Sequence, residues 1–263
     1  MRSSSTPAPR ADRALVVLAT YNECDNLEQV LTRIWDSADV DVLVVDDNSP
    51  DGTGRLADQL ARREPRLSVL HRPEKGGLAG AQLLGFAQAI NRGYEWVIQM
   101  DADLSHPPEA LREVLRASED ADVVVGSRRV RGGRIVGRSH WRNVLTRGAC
   151  VYTRALLRLP VRDCTAGFRA MRVTTLRGVD PDLVRCRGYG FIIETNYALN
   201  AVGARFAEVP IEFADRAAGS SKLTTRILVE AFAVVLRLRM GLIAPAVSAN
   251  STPATVYGPR PAA

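Results

Sequence analysis

The sequence predicts an α/β fold in which a mostly parallel central sheet is flanked by helices. Short apolar runs such as "ALVVLA" alternate with amphipathic stretches through the first half of the chain. Runs of this kind are typical of strands that are buried on both faces. Polar clusters follow four of the runs, and in a parallel sheet such positions meet at one edge, where ligands bind.

The first half of the chain provides five strands with helices between them. The strands are predicted at 14–19, 41–47, 67–72, 95–101 and 121–128. Asp51 or Thr53 is expected to cap the second helix. Gly93 is expected to end the third helix, and Pro107 to begin the fourth. The glycines of "KGGLAGAQ" match neither a P-loop nor a dinucleotide-binding fingerprint, so we expect them to let a helix pack closely on a strand.

Beyond residue 128 the pattern is less regular, and we expect a single domain that spans 14–244. A basic loop at 129–140 precedes a helix at 141–159, and a turn at 163–172 leads into a short strand. A helix at 188–204, a strand at 205–216, a polar loop at 217–222 and an amphipathic helix at 223–242 complete the domain. The leader 1–13 and the tail 245–263 are predicted to be disordered.

The composition excludes several classes of protein. The 263 residues, 46% of them hydrophobic, can build one large core, and no stretch reaches the roughly 20 apolar residues of a membrane span. Four cysteines without a C-x-x-C pair and three histidines argue against zinc and for free thiols in a reducing cytosol. The net charge of +6 indicates nucleic acid, a phosphorylated small molecule or a membrane surface as partner, unless it only reflects arginines scattered by composition.

Two aspartates at the end of the fourth strand, Asp101 and Asp103, are the strongest chemical signal. Residues two apart in an extended chain point the same way, so both carboxylates can face one ion. Mg²⁺ takes one or two carboxylates together with substrate phosphates, and such an ion neutralises a diphosphate leaving group. The alternative is that Asp101 merely ends a strand and that Asp103 caps the helix that follows.

Polar residues at the ends of the first two strands can bind a nucleoside. Tyr21 can contact a base, and Glu23 can accept hydrogen bonds from it. The carboxylates of Asp46 and Asp47 follow the second strand, where a base or a ribose can be bound. Each pattern is weak alone, and the alternative for the second is an acidic turn.

Together these motifs resemble a known family. The order and spacing of the dolichyl- or polyprenyl-phosphate mannosyltransferases, which belong to glycosyltransferase family 2, are found in "ATYNECDNL", "VVDDNSPDGTG", "GLAGAQLLGFAQA", "MDADLSHPPE", "GSRRVRGG", "TRGACVYTRALL", "DCTAGFRAMR" and "DRAAGSSKL". The resemblance covers Ala14 to Leu242. It implies a GT-A fold, GDP-mannose as donor, a polyprenyl phosphate as acceptor, and Mg²⁺ or Mn²⁺ as cofactor.

The resemblance also implies roles for particular residues. Those that would hold the donor are Ala19, Tyr21, Glu23, Val45, Asp47, Asp101, Ala102, Asp103 and, on a mobile loop, Arg216 and Lys222. Those that would bind the metal are Asp101 and Asp103. Those that would grip the acceptor phosphate are Arg128, Arg142 and Thr146. The sequence departs from the family at Ala19, where many members have proline, in "DCTAGF", where others have "DLTGSF", and at Ser105, where some members carry a glutamine that reaches the metal.

Such a site would act by a single displacement that inverts the anomeric carbon. A phosphate monoester, with a second pKa of about 6, is already an anion, so no strong base is needed. The catalytic residues Asp103, Arg128 and Arg142 would instead help to neutralise the charges of the donor and the acceptor. One alternative is an enzyme that uses UDP-glucose with the same acceptor. Another is a non-catalytic nucleotide-sugar binding protein. A nucleic-acid partner is disfavoured by the acidic crevice.

The lipid tail of such an acceptor requires an enzyme that works at a membrane surface. We expect a cytoplasmic protein that is peripheral on the cytoplasmic face of the membrane, and the need for a separate membrane anchor protein stays open. The predicted contact is the apolar stripe of the last helix, formed by Leu223, Ile227, Leu228, Ala231, Val234, Val235, Leu238 and Leu242. The alternative is that this stripe packs on the core of the domain itself.

Overall fold

A seven-stranded, mostly parallel sheet forms the centre of the molecule. The computed structural model describes residues 14–186, 188, 190–214, 225–242 and 244–248, and only the backbone within 225–231. The strands are β1 (Ala14–Thr20), β2 (Asp41–Asp46), β3 (Leu67–His71), β4 (Trp96–Asp101), β5 (Val123–Ser127), β6 (Arg134–Val136), β7 (Arg169–Arg172), β8 (Phe206–Pro210) and β9 (Glu212–Ala214). The predicted fold class is therefore confirmed.

The order of the strands brings the predicted ligand-binding ends together. The large sheet has the order β3-β2-β1-β4-β7-β5-β8. β7 runs antiparallel to its neighbours β4 and β5, whereas the other pairs in this sheet are parallel. The carboxyl ends of β1, β2, β4 and β5 consequently share one edge of the sheet, as predicted.

Helices cover both faces of the sheet. They are α1 (Cys24–Ser37), α2 (Thr53–Ala61), α3 (Leu78–Asn91), α4 (Leu111–Ala117), α5 (His140–Leu157), α6 (Val173–Leu176), α7 (Gly190–Ala201) and α8 (Thr225–Arg239). Side chains alternate between the faces, so that Leu15 and Val17 belong to the apolar cluster under α3, α5, α7 and α8. Val16 and Leu18 belong to the cluster under α1, α2 and α4.

Close packing through glycine is found one turn later than the sequence pattern suggested. A Cβ on Gly85 would stand 2.2 Å from a methyl carbon of Val17, so α3 lies directly against β1 at this point. Gly76 and Gly80 instead leave room for the guanidinium of Arg72, whose Nη2 would lie 2.1 and 3.0 Å from an added Cβ.

Two stretches depart from the predicted elements. The basic loop at 129–140 contains β6, which pairs in parallel with β9 in a separate two-stranded sheet. The single strand predicted at 205–216 is accordingly divided between β8 and β9. Pro210 lies at the end of β8, and because proline has no N–H it cannot continue the ladder. Pro107 was expected at the first position of the fourth helix. It is instead the residue before a 3-10 turn at Pro108–Ala110, which precedes α4.

Three residues of the apolar stripe of the last helix face the core, as the alternative expects, so these three do not provide the predicted membrane contact. Val234, Val235 and Leu238 are buried within the cluster under α5 and α7. Leu242, at the end of the stripe, is exposed. Of the remaining stripe, Leu223 lies outside the described residues, and so do the side chains at 227, 228 and 231.

The chain packs on the domain beyond the predicted end at 244. Ala246 is buried, and Val247 forms an antiparallel bridge with Val179. The predicted leader 1–13 and residues 249–263 of the predicted tail lie outside the described residues. In the described part of the chain, no helix has both the length and the apolar character that crossing a membrane requires.

Candidate active site

Strained turns follow the three adjacent strands β1, β2 and β4. Asn22, Asn48 and Leu104 have φ values of 61°, 59° and 62°, in the left-handed region. Asparagine tolerates this region, but a leucine there costs about 1–3 kcal/mol, which the surrounding structure must offset. Such strain is concentrated at functional sites, and here it lies at the edge where the ligand-binding residues were predicted.

Asp46 ties the first two turns together. Its Oδ1 accepts hydrogen bonds from the Thr20 hydroxyl (3.1 Å) and the Ser49 hydroxyl (2.6 Å). Its Oδ2 accepts from the Ser49 N–H at 3.1 Å. The Ser49 oxygen in turn accepts from the N–H of Asn22 at 3.1 Å. This buried carboxylate therefore organises the turns rather than facing a ligand.

Asp47 holds the glycine-rich loop that precedes α3. Its carboxylate is paired with the Arg72 guanidinium and accepts from the N–H groups of Gly76 (3.0 Å) and Gly77 (2.7 Å). The predicted contact of Asp47 with a nucleoside stays a prediction, and in this structure the carboxylate binds the chain itself. Arg72 was not predicted as a site residue, because its partner lies 25 positions away in the sequence.

Tyr21 and Glu23 lie on the turn after β1, beside this loop. The ammonium nitrogen of Lys75 stands 3.4 Å from the centre of the Tyr21 ring, a cation–π contact. Glu23 is buried, and its Oε2 accepts from the Asn26 amide at 2.8 Å. Ala19, the last predicted residue on this strand, is half-buried beside them.

Two predicted donor-binding side chains point into the core instead. Val45 is fully buried in the cluster under α3, and Ala102 is buried in the cluster on the opposite face of the sheet. Because side chains alternate along a strand, a position that turns Asp101 toward the edge must turn Ala102 inward. For both residues, the predicted contact with the donor stays a prediction, and the side chain is not available for it.

The two predicted metal ligands differ in their surroundings. Asp103 Oδ1 accepts from the N–H (3.0 Å) and the hydroxyl (2.6 Å) of Ser105. Ser105, whose role the sequence left open, thus orients Asp103. Asp101 is one quarter exposed at its side chain, and its Oδ2 lies 3.7 Å from Nδ1 of His106.

His106 is a buried neutral group next to these carboxylates. Its Nδ1 accepts a hydrogen bond from the N–H of Asp101 at 3.1 Å, which places the ring proton on Nε2. Burial lowers the pKa of His106 even though Asp101 and Asp103 act in the opposite direction. The ring lies against Phe168 and Phe213, with centroids 5.7 and 5.4 Å away.

The residues present suit a hard divalent cation. The candidate donors are carboxylate oxygens, and Gly167 leaves space in front of Asp101, since a Cβ there would stand 3.7 Å from both oxygens. Among the described residues there is no group of three or more histidine, cysteine or acidic side chains that could hold an ion. Any ion here would take further ligands from substrate phosphates and water.

Arg128, predicted to grip the acceptor phosphate, forms a buried ion pair. Its Nε and Nη2 each donate at 2.7 Å to the carboxylate of Asp163, and its backbone N–H adds a third bond at 3.0 Å. Burial would raise the pKa of Asp163, but the charge and hydrogen bonds of Arg128 outweigh it and lower that pKa. Asp163 was missed as a site residue, although it begins the quoted "DCTAGF" motif.

Thr146 is held by a neighbouring arginine that the sequence did not single out. Arg129 donates to the Thr146 hydroxyl at 2.7 Å and to the Asn143 amide oxygen at 2.6 Å. The Thr146 hydroxyl donates to the Asn143 carbonyl at 3.1 Å. Arg142, half-buried in the first turns of α5, is not among the described residues that line the cavity below.

One cavity brings the two halves of the site together. Asp101 and His106, at the sheet edge, line it together with Arg128, Arg138 and Thr146. Its remaining described lining is formed by Leu78, Gln99, Ala149, Tyr152, Thr153, Thr165, Gly167, Ile192, Ile193, Phe213 and Phe232. The loop residues Arg216 and Lys222, which the resemblance assigned to the donor phosphates, lie outside the described residues.

The chain is similar to a known family and to two relatives. The model of the family described as Glycosyl transferase family 2 matches residues 15–179. An undecaprenyl-phosphate mannosyltransferase of Micrococcus luteus is 45% identical over 233 residues, which cover 88% of this chain and 95% of the relative. A polyprenol monophosphomannose synthase of Mycolicibacterium smegmatis is 43% identical over 215 residues, 81% of each chain.

Solved structures with lower sequence identity share the fold. A mannosyltransferase of Pyrobaculum calidifontis in complex with GDP-Man and Mn²⁺ has a TM-score of 0.55 at 21% identity, over 86% of this chain and 64% of that one. Glucosyl-3-phosphoglycerate synthase of Mycobacterium tuberculosis, with Mn²⁺, UDP-glucose and phosphoglyceric acid, has a TM-score of 0.61 at 20% identity, over 88% and 80%. The GT-A type fold expected from the sequence is therefore present.

Proposed function

The chain belongs to glycosyl transferase family 2, and on that footing we propose that it transfers mannose from GDP-mannose to a polyprenyl phosphate. The product would be a polyprenyl β-mannosyl phosphate, a lipid-linked mannose donor for glycans, glycolipids or proteins. Support comes from two relatives of similar length, at 45% and 43% identity, whose names describe mannosyl transfer to polyprenyl carriers.

The observation that carries this proposal is the shared cavity. Asp101, a candidate holder of the cation of a nucleoside diphosphate, lines this cavity, and so do Arg128 and Thr146. Two anions must approach one sugar in this reaction, and the cavity offers each of them a group of suitable charge. A protein that only binds a nucleotide sugar would not need Arg128 and Thr146, which would bind the acceptor phosphate.

The acceptor phosphate is an anion before it binds, so its binding mainly requires cations. Asp163 fixes the plane of the Arg128 guanidinium but also cancels its charge. Arg138 lines the same cavity and lies 5.5 Å from the Phe213 ring, so a second guanidinium borders this space. In the proposed mechanism, Arg128 orients the phosphate, Arg138 and Arg142 neutralise it, and no general base is needed.

Asp101 and Asp103 are the proposed holders of Mg²⁺ or Mn²⁺. When bound, such an ion would neutralise the departing diphosphate. Ser105 keeps Asp103 oriented by two hydrogen bonds. Asp103→Asn should remove transfer while leaving the melting temperature close to that of the wild type, and Glu113→Gln on the exposed surface of α4 is the control. An Asp103→Asn enzyme with wild-type turnover, or a wild type that is insensitive to EDTA, would contradict the metal site.

A donor screen tests the proposed reaction. Purified protein is offered each nucleotide sugar with a polyprenyl phosphate, with Mg²⁺, with Mn²⁺ or with EDTA, and the lipid product is measured. We expect transfer from GDP-mannose and dependence on the metal. Transfer from UDP-glucose alone would show that UDP-glucose, and not GDP-mannose, is the donor. The absence of any lipid-linked sugar would contradict the proposed enzyme activity.

We further propose that α5 provides the contact with the membrane surface. Exposed apolar side chains recur at helical spacing on this helix, at Trp141, Val144, Leu145 and Val151. α5 contains three arginines and no acidic residue, which suits anionic head groups. α5 also lines the cavity through Thr146, so the phosphate of a bilayer lipid can reach the site from this side.

Liposome co-sedimentation tests this contact. Replacing Trp141, which is 66% exposed, by serine should weaken binding to anionic liposomes by at least about tenfold, because burying a large apolar side chain is worth about 2 kcal/mol. Leu183→Ser, at an exposed apolar residue on a 3-10 turn, is the matched control. Equal binding by both variants would contradict the assignment. Peripheral attachment to the cytoplasmic face, with or without a separate anchor protein, is part of the same proposal.

A further inference from the structure

One residue that lines the cavity has a buried hydrogen-bond donor without a protein partner. Five buried side-chain atoms of the described residues have no hydrogen-bond partner: Trp35 Nε1, Gln82 Nε2, Gln82 Oε1, Gln99 Nε2 and Arg129 Nε. Gln99 is the one residue of this set that lines the cavity. A buried donor without an acceptor costs about 1–3 kcal/mol, so an amide that is kept in this state calls for an explanation.

The orientation of the Gln99 amide follows from its neighbour Arg169. These two residues are cross-strand partners on β4 and β7. Arg169 donates from Nη2 (2.6 Å) and Nε (3.3 Å) to Gln99 Oε1. A guanidinium only donates, so the oxygen of the amide must face Arg169 and the NH₂ group must face away from it.

Arg169 is an unusual residue to find behind a cavity. It is fully buried, and its other hydrogen bonds go to the neutral oxygens of Thr195, Asn196 and Ile192. Burial lowers the pKa of Arg169 to about 9, so the group remains charged at neutral pH. A cation that binds the amide oxygen draws electron density from the amide and makes its N–H a stronger donor.

We propose that Gln99 is a specificity-determining residue whose Nε2–H donates to a hydroxyl of the hexose being transferred, with Arg169 as the residue that positions it. This inference rests on the proposed function. Gln99 lies two residues before Asp101 on the same face of β4, and the cavity it lines also contacts Arg128 and Thr146. The group that occupies the space between the leaving diphosphate and the acceptor phosphate is the sugar.

The chemistry of this part of the cavity favours a sugar over the two other candidate occupants. The cavity measures about 140 Å³, much more than the roughly 10–15 Å³ that one water needs by the same measure. A phosphate would require several donors or a facing cation, whereas Arg169 faces the amide oxygen and not the cavity. Leu78, Ile192 and Ile193 supply apolar walls, which fit the C–H groups of a hexose ring beside one directed donor.

Calorimetric binding of GDP-mannose and of GDP separates a sugar contact from other effects. Gln99→Met removes the donor at nearly constant volume, and it should weaken GDP-mannose about tenfold, the value of one hydrogen bond in a buried site, while GDP binds as before. Gln82→Met is the matched control, because Gln82 is an equally buried, unpartnered amide that does not line the cavity. It should leave both affinities unchanged.

The outcomes distinguish this inference from the proposed function. Equal losses for GDP-mannose and GDP, or no loss, would overturn the role of Gln99 while wild-type mannose transfer stands. A wild type that neither binds GDP-mannose nor transfers mannose would overturn the proposed function, and this inference with it. Should Gln99→Met not fold, Gln99→Glu keeps an oxygen for Arg169 and replaces the donor. Its preference among singly deoxygenated GDP-mannose analogues must then differ from that of the wild type, and an unchanged preference overturns the inference.

Discussion

Replacing Asp163 by asparagine tests the buried ion pair beneath the proposed acceptor site. The substitution keeps the shape of the side chain and removes its charge. Asp163 is fully buried and receives three hydrogen bonds from Arg128, whose side chain is only 10% exposed. An asparagine can accept through one oxygen only, so its NH₂ group would face one of the guanidinium N–H groups, and two donors would oppose each other.

The expected loss of stability is large. Removing one partner of a buried ion pair costs about 3–5 kcal/mol, because the other charge stays buried without compensation. Asparagine retains part of the hydrogen bonding, so we expect about 3 kcal/mol. For a chain of this size, that corresponds to a fall of roughly 10 °C in the melting temperature.

Thermal unfolding of a matched pair of variants provides the assay. Glu109 also binds an arginine through both oxygens, at 2.8 and 2.9 Å from Arg33, but these side chains are 58% and 35% exposed. Glu109→Gln should therefore cost less than about 1 kcal/mol. The comparison holds geometry constant and varies burial.

The dependence on pH provides a second readout. The pKa of Asp163 is lowered in the folded protein from its ordinary 3.8. The ion pair therefore stabilises the wild type fully above the ordinary pKa, and this contribution is lost as the pH falls through the lowered value. The gap between wild type and Asp163→Asn should stay constant near neutrality and shrink only in strong acid. If Asp163→Asn and Glu109→Gln melt at the same temperature at pH 7, burial does not decide the strength of this pair.

Further variants address the two ends of the site. Asp47→Asn should weaken GDP binding about tenfold in a calorimetric titration, because the loop before α3 loses the anion that holds it. Arg129→Ala should raise the KM for polyprenyl phosphate with little change in the KM for GDP-mannose, since Thr146 loses its support; an effect on the donor alone would contradict this. Arg142→Ala should act in the same sense, and a selective loss of donor binding would reassign this arginine. Hydrogen exchange across 215–223 should slow when GDP and metal are added, and unchanged exchange would count against a closing loop.

The strands and the edge of the sheet could be predicted because their signals are local. An apolar run and the polar residue that follows it are adjacent in sequence, so Asp101 and Asp103 were found without knowledge of distant residues. The alternation of side chains along a strand could also have been applied to Ala102. Since Asp101 points toward the edge, Ala102 must point inward.

What the sequence did not reveal depends on distant pairing. Asp163 lies 35 positions from Arg128, and nothing in either segment names the other as its partner. The β6–β9 pair is formed by short strands without an apolar run. For α8, the amphipathic pattern predicted a face but not what the face would meet, because a stripe that covers a core and a stripe that enters a bilayer have the same periodicity.

The antiparallel strand β7 brings together the two ends of the segment that holds the acceptor side of the site. All residues proposed for the acceptor lie between 128 and 168, in one excursion that leaves the sheet after β5 and returns at β7. Its two ends are hydrogen-bonded neighbours, since Val125 pairs with Arg169. Because its two ends are adjacent, this segment can be exchanged as a cassette, provided that β9, the partner of β6, is exchanged with it. Chimeras that carry this cassette from a relative with a different lipid should inherit its choice of carrier while keeping the nucleotide-binding half unaltered.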